Sequence, residues 1–105
     1  MKVYRLPRWA PMVGWTFLCR VWLKPGCEGA LPHELVHVAQ QRRDGWRFYL
    51  RYAFLPSWRV RYEVEAYRVD IAAGRRTVEQ AARSISGSLY LWPCGYAEAV
   101  AQLRG

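Results

Sequence analysis

Residues 32 to 45 read PHELVHVAQQRRDG, and this stretch decides how the chain folds. Pro32 suits the first turn of a helix, where its missing N–H would have no partner. Gly45 is typical of the residue at which a helix ends. The sequence therefore predicts an apolar, core-facing helix over 32–43.

This helix carries both histidines of the chain, His33 and His37. Residues four apart on a helix lie one above the other, so the two rings can converge on one point. Two imidazoles at this spacing are typical zinc ligands. Glu34 projects beside the pair and is placed to act on a metal-bound water as general base. We therefore predict a zinc site on this helix.

A catalytic zinc usually has a third protein ligand and an open position for water. On a helical wheel Glu65 shares a stripe with inward-facing residues, namely Trp58, Tyr62, Val69 and Ala72. Glu63 falls instead with Arg59, with which a surface pair at i,i+4 is expected. We therefore expect Glu65 to be the third ligand, with Glu63 as the alternative. The other downstream acids and Cys94 remain less favoured.

The predicted site fits hydrolysis of a peptide bond. Glu34 would take a proton from the water and pass it to the leaving nitrogen. The oxyanion needs a donor, for which Tyr67 is a candidate beside Tyr62 and Arg68. Gln40 lies one turn beyond His37, where it is placed to orient a ligand or to cap the helix.

The rest of the chain predicts a mainly helical α+β domain. An apolar piece over 3–6 suggests a short strand or arm, and alternation over 16–23 predicts one strand. Further helices are expected over 46–55, over 58–73 with Ser57 as N-cap, and from Thr77. Thr77 and Gln80 form a capping-box pattern. A short strand over 88–92 and a last helix over 96–103 complete the chain, with the metal helix packed against the glutamate helix.

Composition supports one folded domain over 1–105. Hydrophobic residues make up 52% of the chain, and the net charge is +8. The charge fits peptides, acidic surfaces or nucleic acid, but scattered arginines favour general solubility over a nucleic-acid footprint. No stretch reaches the roughly 18 apolar residues of a membrane span. With three cysteines, Cys19, Cys27 and Cys94, and no apolar signal segment, we expect reduced thiols and a cytoplasmic setting.

With His33, Glu34, His37 and a helix bearing Glu65, the chain resembles the gluzincin group of zinc metallopeptidases over 16–73. Its length makes it most similar to the minigluzincins. The resemblance implies a peptidase acting on peptides or unfolded protein, with His33, His37 and Glu65 binding zinc and Glu34 as the base. It also implies inhibition by the segment 89–105 or by self-association. Larger members carry an aspartate four residues after the ligand glutamate, a position that is Val69 here.

Two other functions remain open. A protease that acts on DNA-bound protein, similar to the SprT-like peptidases, would explain the basic charge and predicts salt-dependent DNA binding. A basic interaction module with a degenerate zinc site is the second. It predicts that Glu34→Gln leaves function intact, whereas an enzyme would lose activity.

Overall fold

The N-terminal β element is a three-stranded sheet in the computed structural model, which describes residues 2–105. Its strands are β1 (Val3–Arg5), β2 (Gly14–Phe17) and β3 (Arg20–Leu23). β3 lies in the centre, parallel to β1 and antiparallel to β2. β2 is therefore an edge strand whose free side faces the helices.

The prediction of one strand over 16–23 is wrong, because this stretch is a tight β2–β3 hairpin. Leu18 and Cys19 both adopt positive φ, 50° and 60°. The pair matches the two-residue turn that favours Asn-Gly, and neither residue type signals it. Two side chains support the turn from outside: Tyr49 Oη accepts from Leu18 N–H at 2.9 Å, and Gln41 Oε1 accepts from Cys19 N–H at 2.8 Å.

Five α-helices follow the sheet, as the mainly helical α+β prediction requires. Their bounds are α1 (Leu31–Asp44), α2 (Trp46–Phe54), α3 (Pro56–Ala72), α4 (Val78–Ile85) and α5 (Tyr96–Arg104). Within 2–105, none of the helices combines the length and apolarity that crossing a bilayer requires.

The sequence predicted some helix ends correctly and others wrongly. The capping box at Thr77 is confirmed, with Thr77 Oγ1 accepting from Gln80 N–H at 3.1 Å and Gln80 Oε1 accepting from Thr77 N–H at 3.0 Å. Ser57 is not the N-cap of α3, since Pro56 already opens the helix. The expected strand over 88–92 is also wrong. Ser88–Tyr90 is a 3-10 turn, and Leu91 and Trp92 then adopt left-handed conformations.

Two apolar cores lie on either side of the pair formed by α1 and α3. One joins α3, α4 and α5, and its buried members are Val60, Val64, Tyr67, Ala81, Ala82, Ile85, Ala99 and Leu103. The smaller one joins the sheet to α1 through Val21, Leu23 and Val38. α1, which carries the two histidines, thus packs on α3, which carries Glu63 and Glu65, as predicted. The polar residues of the site are buried between these cores.

Candidate metal centre

α1 and α3 bring three potential metal ligands together: His33, His37 and Glu63. All three are buried, with exposed fractions of 7%, 7% and 2%. Glu63 Oε1 lies 3.3 Å from His33 Nε2 and 3.2 Å from His37 Nε2. The two imidazoles therefore converge as the helical spacing predicts, and one carboxylate from α3 faces both.

The spacing of these atoms suits a small tetrahedral cation. Ligand bonds of about 2.1 Å in tetrahedral geometry separate neighbouring ligand atoms by about 3.4 Å. The observed separations of 3.2 and 3.3 Å are close to that value. Two imidazole nitrogens and a carboxylate are also a donor set that metals of the zinc type accept. The group could therefore hold a metal ion.

Each histidine ring is held from its other nitrogen. His33 Nδ1 lies 2.8 Å from Asp70 Oδ2, and His37 Nδ1 lies 2.8 Å from Gln40 Oε1. With Nδ1–H donating to these oxygens, Nε2 is the nitrogen of each ring that faces the shared centre, where its lone pair would bind a metal ion. Asp70 thus orients the ring of His33, although no aspartate lies four residues after the ligand glutamate. It can do so because Glu63 and Asp70 lie seven residues apart, on one face two turns along α3.

The charges in the cluster are strongly coupled. Burial lowers the pKa of His37, but the charge and hydrogen bond of Glu63 outweigh it and raise that pKa to about 9. Burial raises the pKa of Glu63, yet the two histidines hold it well below its usual range. Within residues 2–105, every buried side-chain polar atom has a hydrogen-bond partner. A divalent cation would replace ring protons as the positive charge facing Glu63.

Glu34 is buried beside this cluster and is held by the edge strand. Thr16 Oγ1 donates to Glu34 Oε2 at 3.0 Å. Burial raises the pKa of the Glu34 carboxyl, and the neighbouring histidines lower it by less. Gly14 also belongs to this contact, because a Cβ there would lie 2.8 Å from Glu34 Cγ and Oε1. The strand therefore needs glycine at 14 for Glu34 to keep its place.

The prediction that Glu65 faces the core is wrong. Its side chain is 48% exposed, and it accepts from Gln40 Nε2 at 2.6 Å and pairs with Arg43. α3 is packed on several sides, so its apolar residues do not mark one inner stripe. The outward face is instead marked by Arg61, Glu65 and Arg68, whose four- and three-residue spacing is typical of a solvated stripe.

The expected surface pair of Arg59 and Glu63 is also absent. Arg59 is 6% exposed, and its guanidinium donates to backbone carbonyls of Tyr52, Ala53 and Tyr90 at 2.7, 2.8 and 3.0 Å. It thereby satisfies the last turn of α2 and ties the 88–90 turn to α3. Glu63 is left to face the histidines.

Tyrosines surround the ligands. Tyr52 Oη donates to Glu63 Oε2 at 2.5 Å. Tyr67, the predicted oxyanion donor, packs its ring edge on His33 at a centroid distance of 4.4 Å, and its hydroxyl lies 3.0 Å from that of Tyr90. Tyr67 also lines a cavity beside the cluster, and its role as oxyanion donor stays a prediction.

Two cavities flank the cluster, and Glu34 lines both. The first, of about 390 Å³, lies on the His37 side, and its wall is mainly apolar and rich in aromatic rings, including Trp15, Phe17, Phe48, Tyr49 and Tyr52. The second, of about 530 Å³, lies on the His33 side and has a more polar wall. Leu89 and Tyr90 border both cavities. The histidines and Glu34 are therefore reached from a cleft with two unlike chambers.

The cysteines do not take part in the cluster. Cys19, Cys27 and Cys94 are free thiols with intermediate burial, less buried than a core position would be. The metal-ligand group found among residues 2–105 contains only the two histidines and Glu63. A thiolate is thus not needed to complete the donor set.

The chain was also compared with models of known protein families, with curated proteins and with solved structures, and none of them matched. The geometry of His33, His37 and Glu63 is therefore the basis for assigning a function.

Proposed function

We propose that the chain is a zinc-dependent peptidase of the gluzincin kind, with His33, His37 and Glu63 as the metal ligands. The observation that carries the proposal is the approach of both Nε2 atoms to one Glu63 oxygen, at 3.3 and 3.2 Å, beside a buried Glu34. Glu63 takes the place that the sequence assigned to Glu65. Two imidazoles and one carboxylate leave a tetrahedral ion one position for water.

The residues around the centre divide the chemistry between them. A bound zinc ion would polarise the peptide carbonyl and lower the pKa of its water toward about 7. Glu34 accepts the water proton on its carboxylate and delivers it to the leaving nitrogen. Thr16 fixes the orientation of that carboxylate through its hydroxyl. Asp70 and Gln40 keep the imidazoles aligned.

The edge strand supports a peptide as the substrate. In the β2–β3 hairpin, hydrogen-bonded pairs alternate along the strands, so the backbone groups of Gly14 and Thr16 point away from β3. Gln41 Nε2 donates to Thr16 O at 3.3 Å, and Gly14, the other residue on this edge, lines the cleft beside Glu34. An extended peptide pairing with this edge would lie across Glu34, as strand addition requires.

The ligand assignment is tested by metal analysis of matched variants. We expect purified protein offered zinc to bind one equivalent, Glu63→Gln to lose most of it, and Glu65→Gln to keep it. Glu65→Gln is the control because it removes the same charge from the same helix at an exposed position. Zinc loss in Glu65→Gln with retention in Glu63→Gln would overturn the ligand set.

The activity is tested with an unstructured protein or a quenched peptide as substrate. Glu34→Gln should keep zinc and lower the hydrolysis rate by about 10²- to 10⁴-fold, the usual contribution of a positioned acid–base group. Failure of the zinc-loaded wild type to cleave any unfolded substrate would instead favour a non-catalytic interaction module.

A further inference from the structure

The His33-side chamber of the cleft contains two adjacent arginines, Arg75 and Arg76. They precede α4, close to where Tyr67 and Asp70 of α3 border the same chamber. Such charge is absent from the His37-side chamber, whose wall includes no lysine or arginine. The two halves of the cleft therefore present different chemistry to a substrate.

Arg75 is already occupied. Its Nε and Nη2 donate to Asp70 Oδ1, both at 3.2 Å, and Asp70 Oδ2 holds His33. The charge of Arg75 balances that of Asp70, and the pair together holds the ring of His33 in place. Arg75 is thus a structural partner of the centre.

Arg76 is different, because it forms no ion pair within residues 2–105. Its guanidinium lies 5.8 Å from the centroid of the Tyr67 ring. The acid nearest in sequence, Glu79, is paired with Arg104 at 3.3 Å. Arg76 is half-buried and lines the chamber, so its guanidinium combines a position near an aromatic ring with a positive charge that no acid of residues 2–105 pairs.

We propose that Arg76 forms a carboxylate-binding subsite that selects peptides carrying a negative group on the His33 side of the scissile bond. This inference rests on the proposed peptidase function. A guanidinium recognises a carboxylate through paired N–H donors, and the partial burial of Arg76 strengthens that interaction. The carboxylate is that of an aspartate or glutamate side chain or that of the peptide C-terminus.

The structure limits where the negative group lies. The centroid of the Tyr67 ring lies 5.8 Å from the Arg76 guanidinium and 4.4 Å from the centroid of the His33 ring. These place the guanidinium no more than about 10 Å from the His33 ring. Since an extended peptide advances about 3.4 Å per residue, the carboxylate lies within about three residues of the scissile bond.

The test uses unstructured, internally quenched peptides of one parent sequence. The reference peptide is neutral near the scissile bond and ends in an amide. In one arm, aspartate replaces asparagine at each of the three positions on either side of the bond. In the other arm, the amide becomes a free carboxylate within three residues of the bond. Cleavage by the zinc-loaded protein and binding to zinc-loaded Glu34→Gln are both measured.

We expect at least one acidic peptide to exceed its neutral partner by about 10-fold or more in kcat/KM, mainly through KM, as a charge-assisted hydrogen bond would give. Arg76→Met should reduce the ratio of acidic to neutral cleavage, measured within the same variant, to below about 3-fold. Arg76→Lys should retain part of the preference. Arg83→Met removes the same charge from an exposed position of α4 and should retain all of it.

The outcomes separate this inference from the peptidase proposal. Equal cleavage of acidic and neutral peptides, or a preference that Arg76→Met leaves unchanged, overturns the subsite and leaves the peptidase standing. Absence of all cleavage overturns the peptidase. In that case tighter, Arg76-dependent binding of the acidic peptides still supports the subsite, and equal binding overturns it. A preference in the aspartate arm indicates that the subsite binds a side-chain carboxylate, and a preference in the free-carboxylate arm indicates that it binds the peptide C-terminus.

Discussion

Gly14→Ala should damage catalysis without touching a metal ligand. The new Cβ would lie 2.8 Å from Glu34 Cγ and Oε1, whereas carbon contacts are favourable from about 3.5 Å. Either Glu34 or β2 must therefore move by about 0.7 Å. A misplacement of about 1 Å near the reacting atoms can cost about 10²-fold in rate. We expect kcat/KM to fall by roughly 30- to 100-fold, mostly in kcat.

The assay is steady-state cleavage of a quenched peptide, with zinc content and melting temperature measured on the same samples. Gly14 does not have a positive φ, so alanine there adds no backbone strain. Gly95→Ala is the control, because a Cβ at 95 meets no atom within 4 Å. Full activity in Gly14→Ala, or a loss of activity that follows a loss of zinc, would refute the reasoning that this glycine makes room for the base.

Three further predictions concern the support of the site. Asp70→Asn should weaken zinc binding by about 10- to 100-fold in a chelator competition, since it removes the charge that orients His33; unchanged affinity would contradict this role. Arg59→Met should lower the free energy of unfolding by about 3 kcal/mol in urea denaturation, because three carbonyls lose a charged donor; a change below about 1 kcal/mol would argue against it. When free zinc is held at about 100 times its Kd, removing it should lower the free energy of unfolding by about 2.7 kcal/mol and the melting temperature by roughly 10–20 °C. A melting curve that chelator does not change would contradict zinc binding at a buried site.

The helix that carries His33 and His37 could be read from the sequence because its signals are local. Pro32, Gly45 and the four-residue spacing of His33 and His37 need no knowledge of the rest of the fold. The capping box at Thr77 is local in the same way. These elements are confirmed in the structure.

The third ligand could not be found by a search for an apolar stripe. α3 contacts α1, α2, α4 and α5, so it buries residues around most of its circumference. Its buried polar residues, Arg59, Glu63 and Asp70, are satisfied by partners that are distant in sequence. The charged residues Arg61, Glu65 and Arg68 instead indicate which face of α3 contacts solvent. Because Glu65 lies on that face, this pattern would have favoured Glu63 as the ligand.

The hairpin was missed for a similar reason. Leu18 and Cys19 carry no turn signature, and their left-handed conformations are held by Tyr49 and Gln41 from other elements. The position of Gly14 against Glu34 also depends on how β2 packs on α1. Tertiary contacts, not local propensity, decide both features.

The C-terminal segment 89–105 has two parts with different relations to the cleft. α5 belongs to the larger core, where Ala99 and Leu103 are buried. Leu89 and Tyr90 instead border both chambers beside the metal centre. Self-inhibition by the segment 89–105 therefore stays a prediction, and Leu89 and Tyr90 are the residues of it that border the cleft.

A crystal of the protein grown with zinc, measured on both sides of the zinc absorption edge, tests the central claim most directly. The account predicts one anomalous peak at about 2.0–2.2 Å from His33 Nε2, His37 Nε2 and a Glu63 oxygen, with none at Glu65. An anomalous peak at another position would contradict it. So would the absence of any peak, with His33 and His37 still hydrogen-bonded to Glu63.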